Sequence, residues 1–207
     1  MSTALTPESA DQAPRPARQW GRTSATRTAI LDAALEVFLE AGYEEANVAD
    51  IVQRSGRSVG SIYHHFGGKP ELFIALWEST QDGYFAAAAT AVAQTRARGE
   101  RSPAALFTAG AEAYLLAVWQ NRVAVRMFLS DYGPPQLRAL ERERSQAWIR
   151  QNSMLLAVDD SPLSRVRVSV LTSIVGDGAR EIILLESEEE MSLIVDATLQ
   201  FIARVAV

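Results

Sequence analysis

Residues 42–69, GYEEANVADIVQRSGRSVGSIYHHFGGK, read as two short helices on either side of a tight glycine turn. Val48, Ile51 and Val52 supply apolar positions to the first helix, and Ile62 and Phe66 supply them to the second. Gly56 stands between them, where the corner asks for a residue free to adopt positive φ. Asn47 is placed to cap the first helix with Asp50 three residues on, close to a capping box, and Ser58 to cap the second. That is the pattern of a helix-turn-helix, in which one helix braces and the next enters the DNA major groove.

Working outward, Ile30, Ala33, Ala34, Val37, Phe38 and Ala41 recur at helical spacing and predict a preceding helix over 26–41, stopped by Gly42. Residues 1–23 hold Pro7, Pro14 and Pro16 and few large apolar groups, so a disordered tail is expected there. On the other side Gly67-Gly68 break the chain, and Pro70-Glu71 favour the first turn of a new helix. Further helices are expected over 70–97, 103–120, 122–131, 135–156, 162–186 and 188–205, separated by breaks at Gly99, Pro103, Gly133-Pro134-Pro135 and Ser161-Pro162. No strand pattern and no internal repeat is visible. The predicted fold class is all-α, with a tail (1–23), a three-helix head (24–70) and a helical body (71–207).

At 207 residues and 48% hydrophobic, the chain can bury a full core. No apolar run approaches the roughly 18–20 residues that span a bilayer. The N-terminus lacks the apolar centre of a secretory signal, so a cytoplasmic location is expected. There is no cysteine, hence no disulfide, thiolate metal site or cysteine nucleophile. The net charge of −5 argues at first against nucleic acid, but affinity depends on phosphates neutralised locally. Arg15, Arg18, Arg22, Arg27, Arg54, Arg57 and Lys69 are the local supply.

The residues around the motif narrow the reading. Gly42-Tyr43 follows the first helix, Ile62-Tyr63-His64-His65-Phe66 closes the third, and Lys69 opens the fourth ahead of Glu71-Leu72-Phe73. Over residues 24–76 this resembles the DNA-binding head of the TetR/AcrR family of transcriptional regulators. The resemblance implies that Asn47 caps its helix and touches phosphate. It implies further that Ser58, Val59, Gly60 and Ser61 form the first turns of the recognition helix, that Tyr63 and His64 contact backbone or bases, and that Lys69 binds phosphate. Three positions depart from the family pattern: Arg57 replaces a packed valine, Val52 a common alanine, and Val59 a common lysine. Val52 is expected to fill part of the volume vacated at 57 while Arg57 swings outward to phosphate. His64 and His65 point about 100° apart on a helix, which speaks against a shared metal, and no metal or cofactor is expected.

The body carries aromatic residues at helical spacing. Trp77, Tyr84, Phe107, Tyr114, Trp119, Phe128 and Trp148, with Phe85 and Tyr132 nearby, are candidates either for plain core or for the walls of an apolar pocket taking a small-molecule effector. Gln81, Glu112, Asp131 and Arg144 are possible polar contacts. Ser169, Thr172, Gly176 and Ala179 form a small-residue stripe continued by Ile183, and Ile194, Val195, Thr198 and Ile202 recur on the final helix. The stripe fits an intersubunit four-helix bundle or an ordinary helix pair within one chain. The resemblance implies a homodimeric, ligand-responsive regulator on a near-palindromic DNA operator, most simply a repressor. The alternatives are an activator, a regulator answering to a protein partner, or an all-α binding protein or enzyme without DNA binding. Against an enzyme stand the missing cysteine, metal-ligand cluster and nucleophile–base spacing.

Overall fold

The computed structural model describes residues 17–129 and 133–206, with side chains from residue 24 onward. Among these residues every regular element is a helix: α1 (Ala17–Glu45), α2 (Val48–Ser55), α3 (Val59–Phe66), α4 (Lys69–Ala97), α5 (Pro103–Gln120), α6 (Arg122–Leu129), α7 (Leu137–Leu155), α8 (Pro162–Leu184) and α9 (Glu188–Val205). No described helix is long and apolar enough to cross a membrane.

Local chemistry sets most of the boundaries. Gly42 leaves the helical region (φ 74°, ψ 170°), so α1 is broken there and only a short turn continues to Glu45. Gly56 adopts the left-handed conformation at φ 62°, which a side chain would strain, and turns the chain from α2 into α3. Serine side chains cap α3, α5, α8 and α9 through Ser58, Ser102, Ser161 and Ser187. One boundary differs: α1 begins at Ala17, inside the stretch expected to be a disordered tail. Ala17, Arg18 and Gln19 are strong helix formers placed directly after a proline, where helices readily start. The rest of that tail, residues 1–16, lies outside the described residues, as do Asp131 and Tyr132.

Two apolar clusters divide the molecule. The first joins Ile30, Val37 and Phe38 of α1, Ile51 of α2 and Ile62 of α3 to Leu72, Phe73, Leu76 and Trp77 of α4 and Phe128 of α6. Phe73 is its node, with ring centroids 5.1 Å from Phe38, 5.0 Å from Tyr43 and 5.3 Å from Phe128, all edge to face. The second gathers Tyr84 of α4 with Leu115 and Val118 of α5, Leu171, Val175 and Ile182 of α8, and Val195 and Ile202 of α9. Helix α4 is common to both, changing from one to the other between Trp77 and Tyr84, and it stays helical through Gly83.

Much of the small-residue stripe of α8 packs within its own chain. Thr172, Ala179, Ile183, Val195, Thr198 and Ile202 are all buried within the single chain. A Cβ at Gly178 would stand 2.5 Å from Thr198 Oγ1, so glycine permits the close approach of α9 to α8. Asn152 Nδ2 of α7 donates a 3.0 Å hydrogen bond to Thr172 Oγ1 from the other side. The same small residues that suit a seam between subunits suit this seam, because helix periodicity does not encode which neighbour fills it. Of the remaining stripe positions Ser169 is exposed, while Gly176 and Ile194 are half-buried. The apolar residues left in the open on these two helices are instead Leu163, Val166, Val170 and Leu184 of α8 and Leu193 and Phe201 of α9.

Candidate nucleic-acid interface and ligand cavity

Helix α3 is anchored by Ile62, fully buried, and Phe66, half-buried against the first core. Its other face looks outward: Val59 is 50% and Tyr63 54% exposed, and Gly60 and His64 are open as well. At its start Ser58 Oγ accepts from the Ser61 amide at 3.1 Å and lies 3.1 Å from Ser61 Oγ. Ser61 is thus half-buried and already engaged by the cap. A Cβ on Gly60 would meet only Ser58 Oγ, at 3.8 Å, so the surface there is low and open. Asn47 is exposed, but both ends of its amide are occupied by Asp50: Oδ1 accepts from the Asp50 amide at 3.0 Å and Nδ2 donates to its carboxylate.

The cations of this face divide into committed and open ones. Arg57 is exposed, and its backbone amide donates to Ser55 Oγ at 3.3 Å, while Val52 beside it is half-buried against the head core. Arg54 is tied back to α1, pairing with both carboxylate oxygens of Glu40 and lying 3.7 Å from Glu36. That hydrogen bond lowers the Glu40 pKa and raises that of Arg54. Lys69, expected from the resemblance to bind phosphate, is also engaged within the chain. Its Nζ donates to the carbonyls of Tyr43 (2.8 Å), Glu44 (2.9 Å) and Ala46 (3.0 Å) and stands 4.8 Å from the Tyr43 ring centroid. An ammonium has three donors, and all three here go to carbonyls at and just beyond the end of α1. Arg126 does the same for α8, donating to Ile183 O at 2.6 Å and Leu185 O at 2.9 Å and pairing with Glu186. Arg27 lies 4.6 Å over the Phe66 ring.

In the body, two cavities lie on either side of an aromatic partition. Phe85, Tyr114 and Trp148 form it, with Tyr114 stacked on Trp148 at 4.9 Å and Phe85 5.9 Å from Trp148. One cavity, of about 240 Å³, is bounded by Val92, Phe107, Gly110, Asn152 and Leu155 among others. The other, of about 220 Å³, is bounded by Trp77, Gln81, Tyr84, Phe128, Arg144 and Arg180. Of the aromatic and polar candidates named from the sequence, Trp77, Gln81, Tyr84, Phe85, Tyr114, Phe128, Arg144 and Trp148 meet at the second cavity. Phe107 faces the first. Trp119 lines neither; it sits beneath the Arg122 guanidinium, 3.7 Å away. Glu112 is exposed. Burial pushes the Tyr114 phenol up to about 12 and that of Tyr84 higher still, so both remain hydrogen-bond donors at neutral pH. Arg144 of α7 pairs with Asp82 of α4 and lies 4.7 Å over the Phe85 ring. Sequence reasoning had no means of choosing Arg144 over the other polar candidates, because the choice depends on where α7 crosses α4. Among the described residues no cluster of three metal-ligating side chains forms.

Comparison with known proteins agrees with this geometry. Residues 30–76 match the family model for bacterial regulatory proteins of the tetR family. The transcriptional repressor AcnR of Corynebacterium efficiens is 47% identical over 51 residues, covering 25% of this chain and 27% of that protein. The chain thus matches only about a quarter of that relative's length. The transcriptional activator FasR of Mycolicibacterium smegmatis is 27% identical over 180 residues, covering 84% of this chain and 80% of that protein. A TetR/AcrR-type regulator from Aquifex aeolicus shares the fold with a TM-score of 0.66 at 21% identity, over 87% of this chain and 99% of that one. Residues 30–76 thus carry the helix-turn-helix head of bacterial regulatory proteins of the tetR family, and the helical body that follows shares its fold with solved regulators.

Proposed function

We propose that the chain is a cytoplasmic, DNA-binding transcriptional regulator acting as a homodimer and switched by a small, largely apolar molecule. The observation that carries the reading is the exposed face of α3, where Val59, Gly60, Tyr63 and His64 stand open beside Arg57. A helix so presented can enter a major groove, with Tyr63 and His64 at backbone or base edges and Val59 against a thymine methyl. The apolar strip of Leu163, Val166, Val170, Leu184, Leu193 and Phe201 is the surface for the partner copy. Two heads would then meet half-sites about 34–36 Å apart on a near-palindromic operator.

Helix α4 is the route from ligand to DNA. Its first residue, Lys69, grips the end of α1 in the head, and its Asp82 is paired with Arg144 of α7 beside the cavity. A ligand that shifts α4 against α7 would therefore move the head. Switching fully from 99:1 to 1:99 asks for about 5.5 kcal/mol of differential affinity between the two states. The first reading is a repressor that the ligand releases from its operator. The similarity to an activator across most of the chain favours activation as the second reading.

The test is to select an operator from random DNA and titrate binding against salt. Two chains per operator are expected, with affinity falling about 10³–10⁵-fold between 50 and 200 mM salt if about 6–10 phosphates are contacted. A flat salt response, or one chain per site, would reject the reading.

A further inference from the structure

The second cavity contains two donors that folding leaves without acceptors. Tyr84 is 1% exposed and its hydroxyl has no hydrogen-bond partner. Arg144 spends its Nη2 on the Asp82 carboxylate, yet its buried Nε has no partner either. Both residues line the same cavity of about 220 Å³, one from α4 and one from α7, and the guanidinium is held over the Phe85 ring. Buried donors are ordinarily satisfied, and an unsatisfied one costs free energy that a binding partner can return. The rest of the wall is aromatic: Trp77, Tyr114, Phe128 and Trp148. Glu141 also borders the cavity, and burial raises its pKa.

We infer that this cavity takes a ring-sized apolar molecule bearing a hydrogen-bond-accepting oxygen, a carbonyl or carboxylate, which receives hydrogen bonds from Tyr84 Oη and Arg144 Nε. The inference rests on the ligand-responsive reading above and narrows it to a chemical class. The aromatic wall accepts the ring, and the two donors, arriving from different helices, fix its orientation. Because Arg144 also holds Asp82, an oxygen that draws on Arg144 acts on the ion pair between α7 and α4.

Isosteric probes separate the acceptor from the apolar bulk. Acetophenone and ethylbenzene differ by a carbonyl in place of a methylene, and benzoate adds charge. Binding of each to the full-length protein is measured by calorimetry, for the wild type, Tyr84→Phe and Arg144→Met. Tyr84→Phe is expected to weaken acetophenone or benzoate about 5- to 10-fold, the worth of one hydrogen bond, and to leave ethylbenzene within about twofold. Arg144→Met should discriminate in the same direction. Without ligand, Tyr84→Phe should melt no lower than the wild type, since it removes a hydroxyl with no partner. A preference of benzoate over acetophenone assigns the oxygen to a carboxylate, and the reverse assigns it to a carbonyl. Equal losses for all three probes, a lowered melting temperature of ligand-free Tyr84→Phe, or no binding of acetophenone and benzoate would overturn the inference. Ethylbenzene binding without acceptor preference would do so while leaving a ligand-switched regulator intact. Failure of operator binding would instead strike the regulator and leave these affinities measurable.

Discussion

The head and the body hold the polar groups of their candidate sites in opposite places. In the head, Tyr63, His64 and Arg57 stand in the open while Ile62 and Phe66 anchor the helix beneath them. In the body, Tyr84 and Arg144 hold buried donors at a cavity wall and the exposed surface carries leucine and phenylalanine. A surface meant for a hydrated, charged duplex gains from solvated polar groups, because phosphate contact exchanges counterions rather than apolar area. A pocket for a small molecule gains from dry ones, because a donor in low dielectric discriminates more sharply between ligands. The difference teaches that exposure of a polar group is a clue to its partner's size and charge.

The comparison can be broken by testing whether the two regions are as separate as their clusters suggest. Phe73 touches Phe38 and Tyr43 of the head and Phe128 of the body. Phe73→Ala should cost about 3–5 kcal/mol in chemical denaturation. Because its contacts reach both regions, head and body signals should shift together; independent transitions would show two uncoupled units. A smaller effect is expected at Lys69. Lys69→Met removes a charged cap from three carbonyls and should cost about 2 kcal/mol of stability. The salt slope of DNA binding by the folded fraction should not change, whereas a slope reduced by about one would restore Lys69 as a phosphate ligand. The smallest stability change belongs to Arg57. Arg57→Val should stay within about 0.5 kcal/mol of wild type in a melt while lowering DNA affinity and reducing the salt slope by about one. Collapse of the fold would mean that Arg57 is packed.

How much of this was legible in the sequence follows from the range of the interaction. Gly42, Gly56, Ser58 and Asn47 act within four residues of themselves, and the helix limits they imply match the structure closely. The start of α1 was missed because three prolines upstream outweighed the helix formers that follow Pro16. The contacts of Lys69 were illegible for another reason. Its acceptors lie 23 to 26 residues earlier in the chain, and a lysine that binds carbonyls reads the same as one that binds phosphates. The small residues of α8 likewise record close approach without naming the neighbour, which at Gly178 is Thr198 of the same chain. The cavities were only partly legible. Aromatic spacing gathered the right residues, yet the partition of Phe85, Tyr114 and Trp148 joins three helices, and no local pattern specifies such a meeting.

The central claim is that α3 is the surface that meets DNA. Amide hydrogen exchange of the full-length protein, with and without its selected operator, tests it most directly. Added protection concentrated over residues 56–66, with the walls of the body cavities little changed, is the predicted result. Protection confined to the body, or an α3 indifferent to DNA, would contradict it.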